Sequence, residues 1–170
     1  MIRHMPARDD RLFSAALIDR PENSRAGDIP SARVARGKQV FEGENCVRRH
    51  SGPAYGGERL TLAKGYRLPE SHPAREFILD RSVGTDPGLA LRTRKGTGLY
   101  KVPSLRGVWY RPLFGHSGWV NSLEDWFNPK RLEPDSQLTG WIGPEGSRRA
   151  VPGHGYGTDL SVADRKALIA

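Results

Sequence analysis

The residues most able to do chemistry sit in one short run, Cys46-Val47-Arg48-Arg49-His50. It has the form of a c-type haem attachment motif, Cys-x-x-Cys-His, with Arg49 where the second cysteine belongs. In the full motif, cysteines three apart lie on one side of a helical turn and form thioethers with two vinyl groups on one porphyrin edge, while the histidine reaches the iron as proximal ligand. Here one thioether, through Cys46, remains available, and His50 keeps the place of the iron ligand. Five residues with one mismatch also describe an ordinary free thiol and a helix-terminal histidine.

The rest of the inventory narrows the chemistry. Cys46 is the one cysteine among 170 residues, so there is no internal disulfide framework and no all-cysteine zinc site. Five histidines are present. His116 lies in Phe114-Gly115-His116-Ser117-Gly118 and His154 in Pro152-Gly153-His154-Gly155, where neighbouring glycines allow the backbone to approach a flat cofactor closely. Each is a candidate second axial ligand and equally a plain loop histidine, and the sequence does not choose between them. Only Met1 and Met5 are methionines, so an iron held at His50 is expected to be bis-histidine or five-coordinate. Imidazole in place of thioether sulfur lowers the reduction potential.

These residues need elements to position them. A helix is expected from Ser31, with Ser31 as N-cap and Val34, Gly37 and Phe41 on one face, ending at Gly43. Gly37 would let another element come close. A second helical turn holds Cys46 to His50 before Ser51-Gly52-Pro53 stops it. Residues 54–97 read as loop, with a short helix at most near Ala74 to Leu79. The run Tyr100 to Tyr110, interrupted by Pro103, reads as a packed loop. Ser122 caps a helix that begins Leu123-Glu124-Asp125, and Ser161 caps a final one that stops in mid-pattern at Ala170, as if truncated. Trp109, Tyr110, Trp119 and Trp126 are expected in the core. Residues 1–30 read as an arm or linker, the end of an upstream domain, and 31–170 as the haem domain.

With 27 basic and 19 acidic residues the formal charge is +8, which favours acidic partners without naming one. No nucleic-acid-binding motif accompanies it. No apolar stretch is long enough for a membrane span, and the first ten residues lack the apolar core of a secretory signal.

Three ordered motifs add a family likeness. Lys101-Val102-Pro103-Ser104-Leu105-Arg106-Gly107-Val108, then Phe114-Gly115-His116-Ser117-Gly118, then Ser122-Leu123-Glu124-Asp125 resemble the second haem domain of the bacterial di-haem cytochrome c peroxidase family over about Ser31 to Ala170. The resemblance implies an all-α, cytochrome c-like fold with long Gly/Pro-rich loops, in which the helix from Ser161 crosses the one from Ser31. It also implies one haem c and Arg106 as a partner for a haem propionate. The implied role is single-electron transfer to or from an acidic electron-transfer protein or an upstream haem domain, in the periplasm. The peroxide-cleaving haem of that family lies in the other domain, so no catalytic residue carries over. The competing expectation is a haem-poor or haem-free remnant acting as a binding or structural module, with Arg49 marking the loss.

Overall fold

The computed structural model describes residues 29–56, 59–93, 96–142 and 148–170. The expected arm lies outside them except for its last two residues. Helix α1 spans Ser31–Gly43. Ser31 is not its cap: Pro30, held extended at φ −54° and ψ 132°, takes the flanking place, and its carbonyl accepts from Arg33 N and Val34 N. The buried positions are Gly37 and Val40, while Val34 is 48% exposed, so the inward face is rotated from the expected Val34 side.

Gly37 and Val40 face inward because Gly37 seats the final helix. A Cβ on Gly37 would lie 2.8 Å from the carbonyl carbon of Ala167 and overlap its oxygen. Ala167 is buried in the C-terminal helix Val162–Ile169, whose Ser161 Oγ accepts from Asp164 N at 3.1 Å as an N-cap. Arg36 Nε donates to Asp164 Oδ1 at 2.7 Å across the pair. The two helices pack against each other at Gly37 and Ala167.

The all-α expectation is overturned between them. Leu60–Leu62 (β1), Ile78–Leu79 (β2) and Leu99–Lys101 (β3) form a three-stranded mixed sheet in the order β2-β1-β3. β1 runs parallel to β2, pairing Leu60 with Ile78, and antiparallel to β3, pairing Thr61 with Tyr100. Among the described residues helix amounts to 33% and strand to 9%. The strands are two or three residues long, too short to show an alternating pattern in a stretch rich in glycine and proline. β3 ends just before Pro103, which has no N–H for a ladder.

Two short helices complete the frame. Gly88–Arg92 (α2) is latched to the sheet by Tyr100, whose hydroxyl donates to Asp86 O at 2.6 Å and accepts from Ala90 N at 3.1 Å. Leu123–Trp126 (α3) carries the expected cap, Ser122 Oγ accepting from Asp125 N at 3.0 Å, and the C-terminal helix Val162–Ile169 is α4. A second core joins Trp119, Val120, Leu138 and Val151, with Phe114 and Trp126 packed against it. Trp109 and Tyr110 leave this core, at 47% and 48% exposed, because the one-turn 3-10 helix Val108–Tyr110 follows a left-handed Gly107 on the surface. No helix among the described residues is long and apolar enough to cross a membrane.

Candidate functional site

After α1 the chain turns through Asn45 in the left-handed region, φ 57°, into a single 3-10 turn at Cys46–Arg48. His50 N donates to Cys46 O at 2.8 Å, so Cys46 and His50 are fixed relative to one another by backbone alone. Cys46 is half-buried, and burial raises its thiol above the usual range, with the Glu44 charge adding to the effect. His50 is 8% exposed.

The side chain of His50 is oriented by the loop that follows. Its Nδ1–H donates to the carbonyl of Tyr55 at 3.1 Å, which leaves Nε2 as the nitrogen with the lone pair. A histidine that ligates a metal commonly has its other nitrogen tied to a carbonyl in this way. Burial lowers the His50 pKa, against the opposing effect of the Tyr55 and Pro103 carbonyls.

The loop itself is held by the Val-Pro-Ser-Leu-Arg segment. Ser104 Oγ–H donates to Ala54 O at 2.6 Å, and Leu105 N donates to Tyr55 O at 3.3 Å. Gly56, at φ 128°, has Pro103 O only 2.5 Å from where a Cβ would stand and His50 Nδ1 3.4 Å away, so a side chain there would displace the histidine's support. Arg106 belongs to the same segment, but it is exposed, and its recorded hydrogen bonds are through its backbone, to Ser104 Oγ and from Arg111.

The two candidate second ligands are separated by the fold. His154 is brought to His50, with ring centroids 6.4 Å apart at 58°. His116 stacks on Tyr100 at 4.9 Å, meets Trp119 edge-on at 5.2 Å, and its Nδ1 lies 3.3 Å from Thr85 Oγ1. Among the described residues its ring contacts are with this neighbouring cluster and none is with His50.

His154 stands at the centre of a set of contacts that sequence reading missed. Its backbone is left-handed, φ 47°, and its N donates to Val83 O at 2.8 Å. Trp126 Nε1–H donates to His154 Nδ1 at 3.2 Å, which puts the ring proton on Nε2. Burial, with a smaller push from His50, lowers the His154 pKa to about 4. Beneath it Arg131, 6% exposed, donates from Nε to Trp126 O at 2.6 Å, from Nη1 to Val151 O at 2.6 Å and Gly153 O at 3.0 Å, and from Nη2 to His154 O at 2.7 Å. Burial lowers the Arg131 pKa to about 10, which leaves it charged at pH 7. An arginine in Asn-Pro-Lys-Arg carries no sequence signal of such a role.

Arg49, three residues after Cys46, brings a planar cation to the turn. Its guanidinium lies 4.6 Å from the centre of the Tyr156 ring and donates to Arg81 O at 3.4 Å, while its buried Nε has no acceptor among the described residues. Val47, Arg48, Arg49, Ile78, Leu79 and Tyr156 help to line a cavity of about 1080 Å³ beside the turn. That volume is slightly above the range of about 300–1,000 Å³ for small-molecule and cofactor sites.

No cluster of three or more His, Cys, Asp or Glu suited to a bare metal ion occurs among the described residues. Haem iron asks less of a protein, since the porphyrin supplies four ligands and the chain only one or two. The cavity beside them is lined by Val47, Arg48 and Arg49 of the same turn and not by Cys46, His50 or His154, while Cys46 and His50 are donors of the kind that haem takes. His154 fits it in distance: two metal–imidazole bonds of about 2 Å, plus about 1.1 Å from each nitrogen to its ring centre, put the centroids roughly 6 Å apart. Its tautomer does not yet fit, since Nε2 carries the proton.

Comparison of the chain with protein-family models, with curated proteins and with solved structures finds no significant match.

Proposed function

We propose that residues 31–170 bind one haem c, attached by a single thioether at Cys46 and ligated by His50, and that the domain passes single electrons. The observation that carries this reading is the buried imidazole of His50, its Nδ1–H tied to the Tyr55 carbonyl, facing a second buried imidazole 6.4 Å away. The haem, when bound, supplies the one-electron redox chemistry.

The chain's own residues supply the rest. Tyr55 O and Gly56 keep His50 in the ligating tautomer. His154 would serve as a second ligand with its ring proton on Nδ1 instead of Nε2, at the expense of the hydrogen bond from Trp126. His116, engaged with Tyr100 and Trp119, stays a wall of the neighbouring core. Arg49 forms no thioether, so attachment rests on Cys46 alone. Arg106, exposed on the loop that supports His50, is the residue available to a propionate at the surface. Two imidazoles give a lower potential than imidazole with thioether sulfur. The net charge of +8 suits an acidic electron-transfer protein or an upstream haem domain as partner, and covalent haem attachment suits the periplasm. Peroxide cleavage is not assigned to this chain.

The test is the absorption spectrum of the chain produced with a cytochrome c maturation system. A six-coordinate low-spin spectrum that turns high-spin in His154→Ala and disappears in His50→Ala is expected. A colourless product would favour a haem-free binding module instead, in which Arg49 packed on Tyr156 closes the place of the lost cysteine.

A further inference from the structure

Arg131 is a buried cation with no carboxylate within ion-pairing distance among the described residues. Buried charges are ordinarily paired, because moving an unpaired one out of water is costly. Here four backbone carbonyls take that role, those of Trp126, Val151, Gly153 and His154, each within 3.0 Å of a guanidinium nitrogen. Three of the four belong to the segment that ends at His154, and the fourth belongs to the tryptophan bonded to the His154 ring. The clamp also works in reverse, since Val151 N donates to Arg131 O at 2.7 Å.

We propose that Arg131 is the positioning residue that seats His154 opposite His50, and that its positive charge, which no carboxylate neutralises among the described residues, favours the reduced form of the centre those histidines hold. The proposal rests on the haem reading above. A left-handed non-glycine residue such as His154 is kept in place only where its surroundings over-determine it. The planar fork of Arg131 does this by gathering the carbonyls of Val151, Gly153 and His154 toward one point, and the donation from His154 N to Val83 O closes the other side. Lysine has three donors on one nitrogen and no fork, so it retains the charge and loses the geometry. Positional and electrostatic roles are therefore separable by substitution.

The experiment compares the haem-loaded parent with Arg131→Lys, Arg131→Met and His154→Ala by absorption spectroscopy and redox titration. Arg131→Lys is expected to lose part of the low-spin spectrum. Arg131→Met is expected to lose more of it and, within its remaining low-spin fraction, to have a lower midpoint potential than the parent. In a His154→Ala background, Arg131→Met is expected to leave the spin state as it is, since the residue it seats is gone. Arg131→Lys and Arg131→Met proteins that keep the parent's low-spin spectrum and potential would overturn the proposal. If Arg131→Met does not fold, Arg131→Lys decides, and an unchanged low-spin spectrum there overturns the seating role. A colourless parent would overturn the haem reading and this proposal together, whereas a coloured parent with indifferent Arg131 variants overturns this one alone.

Discussion

Trp126 Nε1–H donates to Nδ1 of His154, 28 residues further along the chain, at a distance of 3.2 Å. Indole is a donor only, so the contact dictates the tautomer of the imidazole. On the proposed haem reading, Trp126 and the iron would compete for His154, because ligation at Nε2 requires the ring proton to sit on Nδ1.

Replacing Trp126 with Phe keeps the aromatic packing against Phe114 and removes that donor. In the haem-free chain, Trp126→Phe is expected to cost about 1–3 kcal/mol, because the buried Nδ1 of His154 is left without its donor. In the haem-loaded chain the same change is expected to raise the low-spin fraction, since His154 no longer has to give up a partner. Urea denaturation and absorption spectra measure the two effects, and a lower low-spin fraction would contradict the competition.

Acid should weaken the haem-free protein over a defined range. The His154 pKa is about 4 in the folded state against 6.5 as the ordinary value. Between those values the unfolded chain binds a proton that the folded one does not, so the stabilising contribution is present above pH 6.5 and is lost as pH falls toward 4. At about 1.4 kcal/mol per pH unit, His154 accounts for roughly 3 kcal/mol of that loss. His50, shifted the same way by burial, adds to it. Urea titrations at stepped pH should show this slope, and His154→Phe should flatten it. An unchanged slope in His154→Phe would place the acid sensitivity elsewhere.

Gly37 is expected to resist even alanine. An added Cβ gains helix propensity of about 1 kcal/mol, but it overlaps the Ala167 carbonyl and forces α1 and α4 apart, which costs about 1–3 kcal/mol. Gly37→Ala should therefore lower stability, and a higher denaturation midpoint would show that the helices separate freely.

Features with a local signature were legible in the sequence: the end of α1 at Gly43, the turn at Cys46, the caps Ser122 and Ser161, and the close approach at Gly37. Those set by distant contacts were not. Leu60–Leu62 becomes a strand because Ile78 and Leu99–Lys101 lie on either side of it, and nothing within three residues announces that pairing. Val34 turned outward because Ala167 meets Gly37, and Trp109 is exposed although its composition reads as core. At the site, Cys46 and His50 were visible as a spaced pair. The choice between His154 and His116 was not, since it depends on which glycine loop the fold brings to His50. Arg131 was invisible because its partners are backbone carbonyls, which every residue has.

Covalent attachment through Cys46 is the claim on which the rest depends, and a haem-stained denaturing gel with a pyridine haemochrome spectrum, run on chain matured by a cytochrome c assembly system, tests it most directly. Haem should stay with the denatured parent chain, be released from Cys46→Ala, and increase in Arg49→Cys, where the second thioether is restored. A parent chain that is colourless, or that gives up its haem on denaturation, would contradict the account.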